Sequence, residues 1–105
     1  MARIFKNLRN EMDEKGNASA KPMASFLLEC LAYNVPNNLL IAADYKTAVE
    51  ASISHIYHAT TSLNECGEWT EVNDLKYLFR GPQPWTFQQV NQFAVAAWNH
   101  VGFGS

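Results

Sequence analysis

Apolar residues recur at intervals of three and four along much of the chain, and this spacing is typical of amphipathic helices. The first such stretch covers residues 2–15 and is followed by Gly16, a residue that commonly ends a helix. Its apolar positions form one stripe: Ile4, Phe5, Leu8 and Met12. We therefore predict a first helix over 2–15 that buries this stripe.

Two further helices are predicted in the middle of the chain. Residues 22–33 are apolar almost all round, which predicts a buried central helix, with Pro22 in the first turn, where its missing N–H is not needed. Residues 45–63 repeat their apolar positions at helical spacing. Either Asp44 or Thr47 is the expected N-cap of this third helix.

The last helix has the clearest start signal. Thr86 followed by Gln89 fits a capping box, and Trp85 before the cap can pack on Val90. The predicted buried face comprises Val90, Phe93, Ala94, Ala97, Trp98 and Val101. Residues 64–84 are irregular, with one helical turn expected near 72–78. The predicted fold is all-α, with four main helices and one long structured loop before the last of them.

Composition favours one packed domain over residues 1–105. The chain has 105 residues, of which 48% are apolar, enough for a single core. No apolar run approaches the ~20 residues that a membrane helix needs, and no secretory signal is evident, so we expect a cytoplasmic protein without membrane contact. Cys30 and Cys66 fit that compartment as reduced thiols, one on a helix and one near a turn.

The net charge of −2 argues against a nucleic-acid partner, but the charge is unevenly distributed. Residues 1–21 carry five basic and three acidic side chains, whereas the rest of the chain is acidic. Two interpretations stay open: an anion site near the first helix, or an ordinary solvated face.

The motifs of several enzyme classes are absent. The sequence contains neither a phosphate-binding glycine loop nor a D-x-D pair on a predicted strand. His55 and His58 lie three apart, but no cysteine or carboxylate is spaced to complete a metal site. Ser52 and Ser54 near His55 have no nucleophile elbow. We therefore expect no catalytic residues, metal or cofactor in this chain and no enzymatic activity from it alone.

Three segments, in their order and spacing, resemble a known family. They are RIFKNLRNE (3–11), PMASFLLECL continuing to Pro36 (22–36), and WTEVNDLKYLF (69–79). The pattern is similar to the C-terminal helical domain of the cyclic GMP-AMP synthase and oligoadenylate synthase-like nucleotidyltransferases. The best fit is to bacterial members that make nucleotide second messengers in antiviral (anti-phage) defence. Trp85 and residues 97–103 also fit, so the resemblance covers nearly the whole chain.

The resemblance implies roles for four residues in binding a nucleoside triphosphate such as ATP. Lys6 and Ser25 would contact the triphosphate, Arg9 would be a second phosphate contact, and Phe26, where many relatives have Tyr, would stack on the base. A lysine supplies a compact charge, a first-turn hydroxyl lies beside free backbone N–H groups, and a flat ring supports a base. Without the resemblance, Lys6 is interpreted as a solvated charge, Ser25 as an ordinary first-turn residue and Phe26 as core.

In that family an N-terminal lobe supplies a glycine-serine motif and the carboxylates that bind magnesium, so Mg²⁺ is expected only with that other lobe. Our first hypothesis is a helical lobe that closes the nucleotide cleft without catalytic carboxylates and binds triphosphates weakly alone. The alternative is a free-standing helical module that regulates a synthase or another defence protein. If the surface near Phe26 is left uncovered, self-association is expected as well.

Overall fold

The computed structural model describes residues 2–36, 45–71, 76–80 and 83–101. Its helices are α1 (Ala2–Glu14), a short 3₁₀ helix (Ala18–Ala20), α2 (Ser25–Asn34), α3 (Tyr45–Ala59), the single turn α4 (Leu63–Cys66) and α5 (Phe87–His100). Strand-like pairing within these ranges is limited to one bridge between Thr70 and Tyr77. The all-α prediction with four main helices, α1, α2, α3 and α5, is confirmed.

The end of α1 follows the predicted signal. Gly16 adopts a φ of 79°, in the left-handed region that glycine tolerates without strain. The backbone N–H of Asn17 then donates to the Met12 carbonyl at 2.9 Å, and the Asn17 side chain accepts from the Ser19 N–H at 3.0 Å. These bonds satisfy groups that a helix end leaves unpaired and turn the chain back towards α2.

The start of α2 differs from the prediction. Pro22 lies before the helix, not in its first turn, because residues 18–24 form a separate series of turns. Ala24 is the extended N-cap residue and makes no side-chain capping bond. Helical geometry therefore begins at Ser25, which occupies the first turn as predicted.

The start of α3 matches the prediction, whereas its end and one of its cap candidates do not. The helix begins at Tyr45, so Thr47 lies inside it and is not its cap, whereas Asp44 lies outside the described residues. It ends at Ala59, four residues early. There the Thr60 hydroxyl donates to the Ile56 carbonyl at 2.6 Å, and the Thr61 hydroxyl donates to the His58 carbonyl at 3.0 Å. Such side-chain bonds compete with continued helix.

In the long segment before α5, the predicted helical turn near 72–78 lies partly outside the described residues, and its described part is not helical.

The start of α5 confirms the capping box. Thr86 Oγ1 accepts from the Gln89 N–H at 3.2 Å, and Gln89 Oε1 accepts from the Thr86 N–H at 3.0 Å. Val101, which the sequence places on the buried face, is 38% exposed, because α5 ends at His100 and Val101 is its C-cap.

The four main helices meet in one core. Their junction leaves a void of only about 10 Å³, so the packing is tight. Its lining residues are Phe5, Leu8, Leu31, Ile53, Ile56, Phe93, Ala94 and Ala97. Cys30 on α2 and Cys66 on α4 are both buried and are not joined to each other by a disulfide. Among the described helices, none combines the length and apolarity needed to cross a bilayer.

Candidate functional site

The packing of α1 against α2 brings together the four residues singled out in the sequence. Lys6 and Arg9 lie three apart on α1, while Ser25 and Phe26 are the first two residues of α2. Glu29, one turn further along α2, completes the group. We call these five residues the α1–α2 surface. It unites a hydroxyl, two basic groups, a carboxylate and an exposed ring.

Arg9 connects the two helices directly. Its Nη1 donates to the Met23 carbonyl at 2.9 Å and to Ser25 Oγ at 3.1 Å. Its Nε donates to Oδ1 of Asn10 at 3.1 Å. The guanidinium is therefore held against the segment that leads into α2, at the residue predicted to contact phosphate.

Lys6 is held by a partner that the sequence analysis did not identify. Its Nζ lies 2.8 Å from Glu29 Oε1, and the two side chains are 32% and 45% exposed. An ion pair this exposed contributes at most about 1 kcal/mol, so a more highly charged anion can compete for Lys6. A signal for Glu29 existed in the sequence, because it lies four residues after Ser25 and so shares its helix face.

Phe26 is not a core residue, although core was one of its two interpretations. Its side chain is 41% exposed, whereas Leu27 and Leu28 beside it are fully buried. Its ring centroid lies 6.2 Å from that of Trp85, with the ring planes at 44°. Trp85 is itself anchored, because its indole N–H donates to the Leu78 carbonyl at 2.9 Å. An exposed ring supported on one side can accept a flat ligand.

His55 and His100 contact side chains of other elements of the fold. His55 stacks on Trp69 at a centroid distance of 5.9 Å, and His100 Nε2 lies 2.7 Å from Glu11 Oε1. Within the described ranges, no three His, Cys, Asp or Glu side chains converge as a metal site requires.

The family comparison agrees with this architecture. Residues 1–102 match the model of the cGAS/DncV-like nucleotidyltransferase C-terminal helical domain. The match spans nearly the whole chain, and the chain therefore belongs to this family. The resemblance seen in the sequence is confirmed.

Individual relatives are cyclic dinucleotide synthases. The chain is 42% identical over 101 residues to the cyclic dipyrimidine nucleotide synthase CdnE of Legionella pneumophila, covering 96% of this chain and 33% of that protein. It is 34% identical over 103 residues to a cyclic dipurine nucleotide synthase of Elizabethkingia meningoseptica, covering 98% of this chain and 34% of that protein.

A solved structure of Elizabethkingia meningoseptica CdnE, with GTP and Apcpp, superimposes on this fold with a TM-score of 0.86 at 35% identity. That comparison covers 96% of this chain and 36% of the other. The chain thus spans about a third of the length of the relatives it matches.

Proposed function

We propose that this chain is the helical lobe of a cyclic dinucleotide synthase and that its α1–α2 surface closes one side of the nucleotide cleft. The family match and the similarity to a synthase solved with GTP and Apcpp support the lobe assignment. The observation that carries the site is the Arg9–Ser25 hydrogen bond, which places a basic group on the first hydroxyl of α2 beside Lys6 and Phe26.

Three residues of the surface, Ser25, Lys6 and Phe26, have proposed roles that their chemistry supports. Ser25 lies in the first helical turn, where free backbone N–H groups and the helix dipole favour anions, and its hydroxyl adds a donor for phosphate. Lys6 supplies positive charge to the same phosphates. Phe26 offers its exposed face to the base. The carboxylates and magnesium of phosphoryl transfer are assigned to the other lobe, so this chain alone is proposed to bind a nucleotide without converting it.

Triphosphate binding by the 105-residue chain tests this proposal. We expect weak binding of ATP, followed by NMR titration, because half of the proposed site is supplied by another lobe. Lys6→Ala should weaken binding about tenfold or more, since a charge-assisted hydrogen bond contributes ~1.5–3 kcal/mol. Lys15→Ala is the matched control, because Lys15 is an exposed lysine just beyond α1.

Equal ATP affinities for wild type and Lys6→Ala would remove this role for Lys6. A wild-type chain that binds no ATP at millimolar concentration would remove the α1–α2 surface as a nucleotide site. Loss of affinity in Lys15→Ala comparable to that in Lys6→Ala would show that only net charge matters.

The second candidate function, a free-standing interaction module, is favoured by the exposure of Phe26 and Tyr33 two turns apart on α2. Exposed apolar groups on one helix face can dock a protein partner or a second copy. Size-exclusion chromatography with light scattering tests self-association. A clean monomer that binds no synthase lobe would count against this module.

The coding DNA immediately upstream of Met1 distinguishes the two candidates. An open frame that runs back into a glycine-serine motif and a D-x-D pair would make this chain the helical lobe of one synthase. A stop codon and a start site there would support the separate module.

A further inference from the structure

Arg9 is expected from the family resemblance to be a second phosphate contact, but its guanidinium donates hydrogen bonds to Met23, Asn10 and Ser25. We propose that Arg9 is a positioning residue that acts on the triphosphate through Ser25, by leaving the Ser25 hydroxyl free to donate to a phosphate oxygen. This inference rests on the proposed function. It states which residue of the α1–α2 surface contacts the phosphate, Ser25, and which residue orients it, Arg9.

The guanidinium of Arg9 is fixed from two sides. Nη1 donates to the Met23 carbonyl at 2.9 Å, and Nε donates to Oδ1 of Asn10 at 3.1 Å. Met23 is itself buried and belongs to the hydrophobic core. A planar group held through two of its nitrogens has little freedom to turn, which orients the remaining Nη1 hydrogen towards Ser25 Oγ at 3.1 Å.

The direction of that last bond decides what Ser25 can do. A guanidinium has five N–H donors and no acceptor, whereas a hydroxyl has one donor and two acceptor lone pairs. Ser25 Oγ must therefore accept from Arg9, and its own O–H remains to be donated. Among the described residues, Arg9 is the hydrogen-bond partner of Ser25 Oγ. The adjacent positive charge also polarises the hydroxyl and makes it a stronger donor to an anion.

The competing interpretation is direct contact of Arg9 with phosphate through its Nη2 group, which carries two further donors. The two interpretations differ in how Arg9 and Ser25 combine. If Arg9 acts through Ser25, removing Arg9 from a chain that already lacks the hydroxyl changes little. If Arg9 binds phosphate itself, the two losses add.

A double-mutant cycle measures this difference in the 105-residue chain, with inorganic tripolyphosphate as the probe and NMR titration as the readout. The variants are Arg9→Ala, Ser25→Ala and the double variant. We expect each single change to weaken binding several-fold, about fivefold to tenfold. Arg9→Ala should add less than about twofold on the Ser25→Ala background. Losses that multiply would overturn the inference.

Two further variants test whether the effect of Arg9 is confined to Ser25. Lys6→Ala in the Arg9→Ala background should keep its full effect; if that effect disappears, Arg9 merely holds the whole surface together and the inference fails. Arg3→Ala removes the same charge from an exposed position of α1. A loss equal to that of Arg9→Ala would show long-range attraction only and would also overturn the inference.

Arg9→Lys keeps the result interpretable if Arg9→Ala folds poorly. The lysine retains the charge and much of the stem but cannot reproduce the fixed fork that reaches Met23, Asn10 and Ser25 together. The Arg9→Lys variant should therefore show the same loss of tripolyphosphate affinity, about fivefold to tenfold, that is expected for Arg9→Ala. Full retention of affinity in Arg9→Lys would contradict the positioning role.

The inference and the proposed function fail differently. A wild-type chain that binds neither tripolyphosphate nor ATP removes both. A wild-type chain that binds, is weakened by Lys6→Ala and shows multiplying losses for Arg9 and Ser25 keeps the proposed function and removes only the inference.

Discussion

At the residue scale, the ion pair between Lys6 and Glu29 sets the charge that an incoming phosphate meets. The pair is 2.8 Å long and partly exposed, so it is formed before any anion arrives. A triphosphate that uses Lys6 must displace Glu29 and tolerate its negative charge nearby. Under the proposed function, Glu29 therefore opposes the binding of phosphate by Lys6.

Glu29→Gln should raise the affinity of the chain for ATP. The expected gain is at most about fivefold, corresponding to the upper end of the ~0.2–1 kcal/mol of an exposed ion pair. Glu50→Gln is the matched control, because it removes an equal charge from an exposed position on α3. If titrations give the same ATP affinity for Glu29→Gln and wild type, Glu29 does not compete with the triphosphate for Lys6.

Phe26 provides a second test, which separates base from phosphate. Phe26→Ala should weaken ATP binding about tenfold, because stacking contributes ~1–3 kcal/mol per base, and should leave tripolyphosphate binding unchanged. Tyr33→Ala is the control, since Tyr33 is an aromatic residue of the same helix with 48% exposure. If Phe26→Ala weakens both ligands equally, the ring supports the fold of the surface and not the base.

The sequence allowed four residues of this surface to be named, but it indicated neither the role of Glu29 nor the pairing of the side chains. Lys6 and Glu29 are separated by 23 positions, and Arg9 and Ser25 by 16. Spacing rules connect residues within one helix, whereas these pairs depend on how α1 lies across α2. The exposure of Phe26 also depends on which side of an almost wholly apolar helix packs inwards.

At the scale of elements, local signals predicted helix ends wherever a capping group was decisive. Gly16 and the Thr86–Gln89 capping box are such groups, and both ends lie where expected. Pro22 and Thr47 were misleading because each is compatible with a first turn without requiring one. The turns at 18–24 leave Pro22 outside α2, and α3 begins at the predicted residue with Thr47 inside it.

The capping box predicts a defined loss of stability. Thr86→Ala should lower the free energy of unfolding by about 1 kcal/mol, or the midpoint of thermal unfolding by roughly 4–8 °C, because the hydroxyl that accepts from the Gln89 N–H is lost. Thr86→Ser should retain most of the stability. Gln88→Ala serves as the control, since Gln88 is exposed in the same turn. An unchanged midpoint for Thr86→Ala would mean that tertiary contacts alone fix the start of α5.

At the scale of the whole molecule, the apolar stripes were sufficient to predict the all-α class and most core residues. Each of the four main helices contributes to the junction around the 10 Å³ void. The sequence could not predict which stripe faces which, because several helix arrangements bury the same apolar residues.

Leu31 tests the cooperativity of that junction. It is fully buried on α2 and lines the void together with residues of the other three main helices. Leu31→Ala should cost about 2–5 kcal/mol, a large part of the stability of a small domain, and urea unfolding should remain one transition. Leu31→Met, which keeps the volume, should cost less than about 1.5 kcal/mol. Two separate transitions would show that α1 and α2 unfold independently of α3 and α5.

The contact between Trp85 and Phe26 also gives the molecule an intrinsic optical reporter. Indole fluorescence responds to its immediate surroundings, and Trp85 lies 6.2 Å from the ring on which a base is proposed to stack. The chain has three tryptophans, and replacing Trp69 and Trp98 by Phe would leave Trp85 as the only one. Its emission would then follow nucleotide occupancy without any label, and a spectrum unchanged at saturating ATP would locate the base away from Phe26.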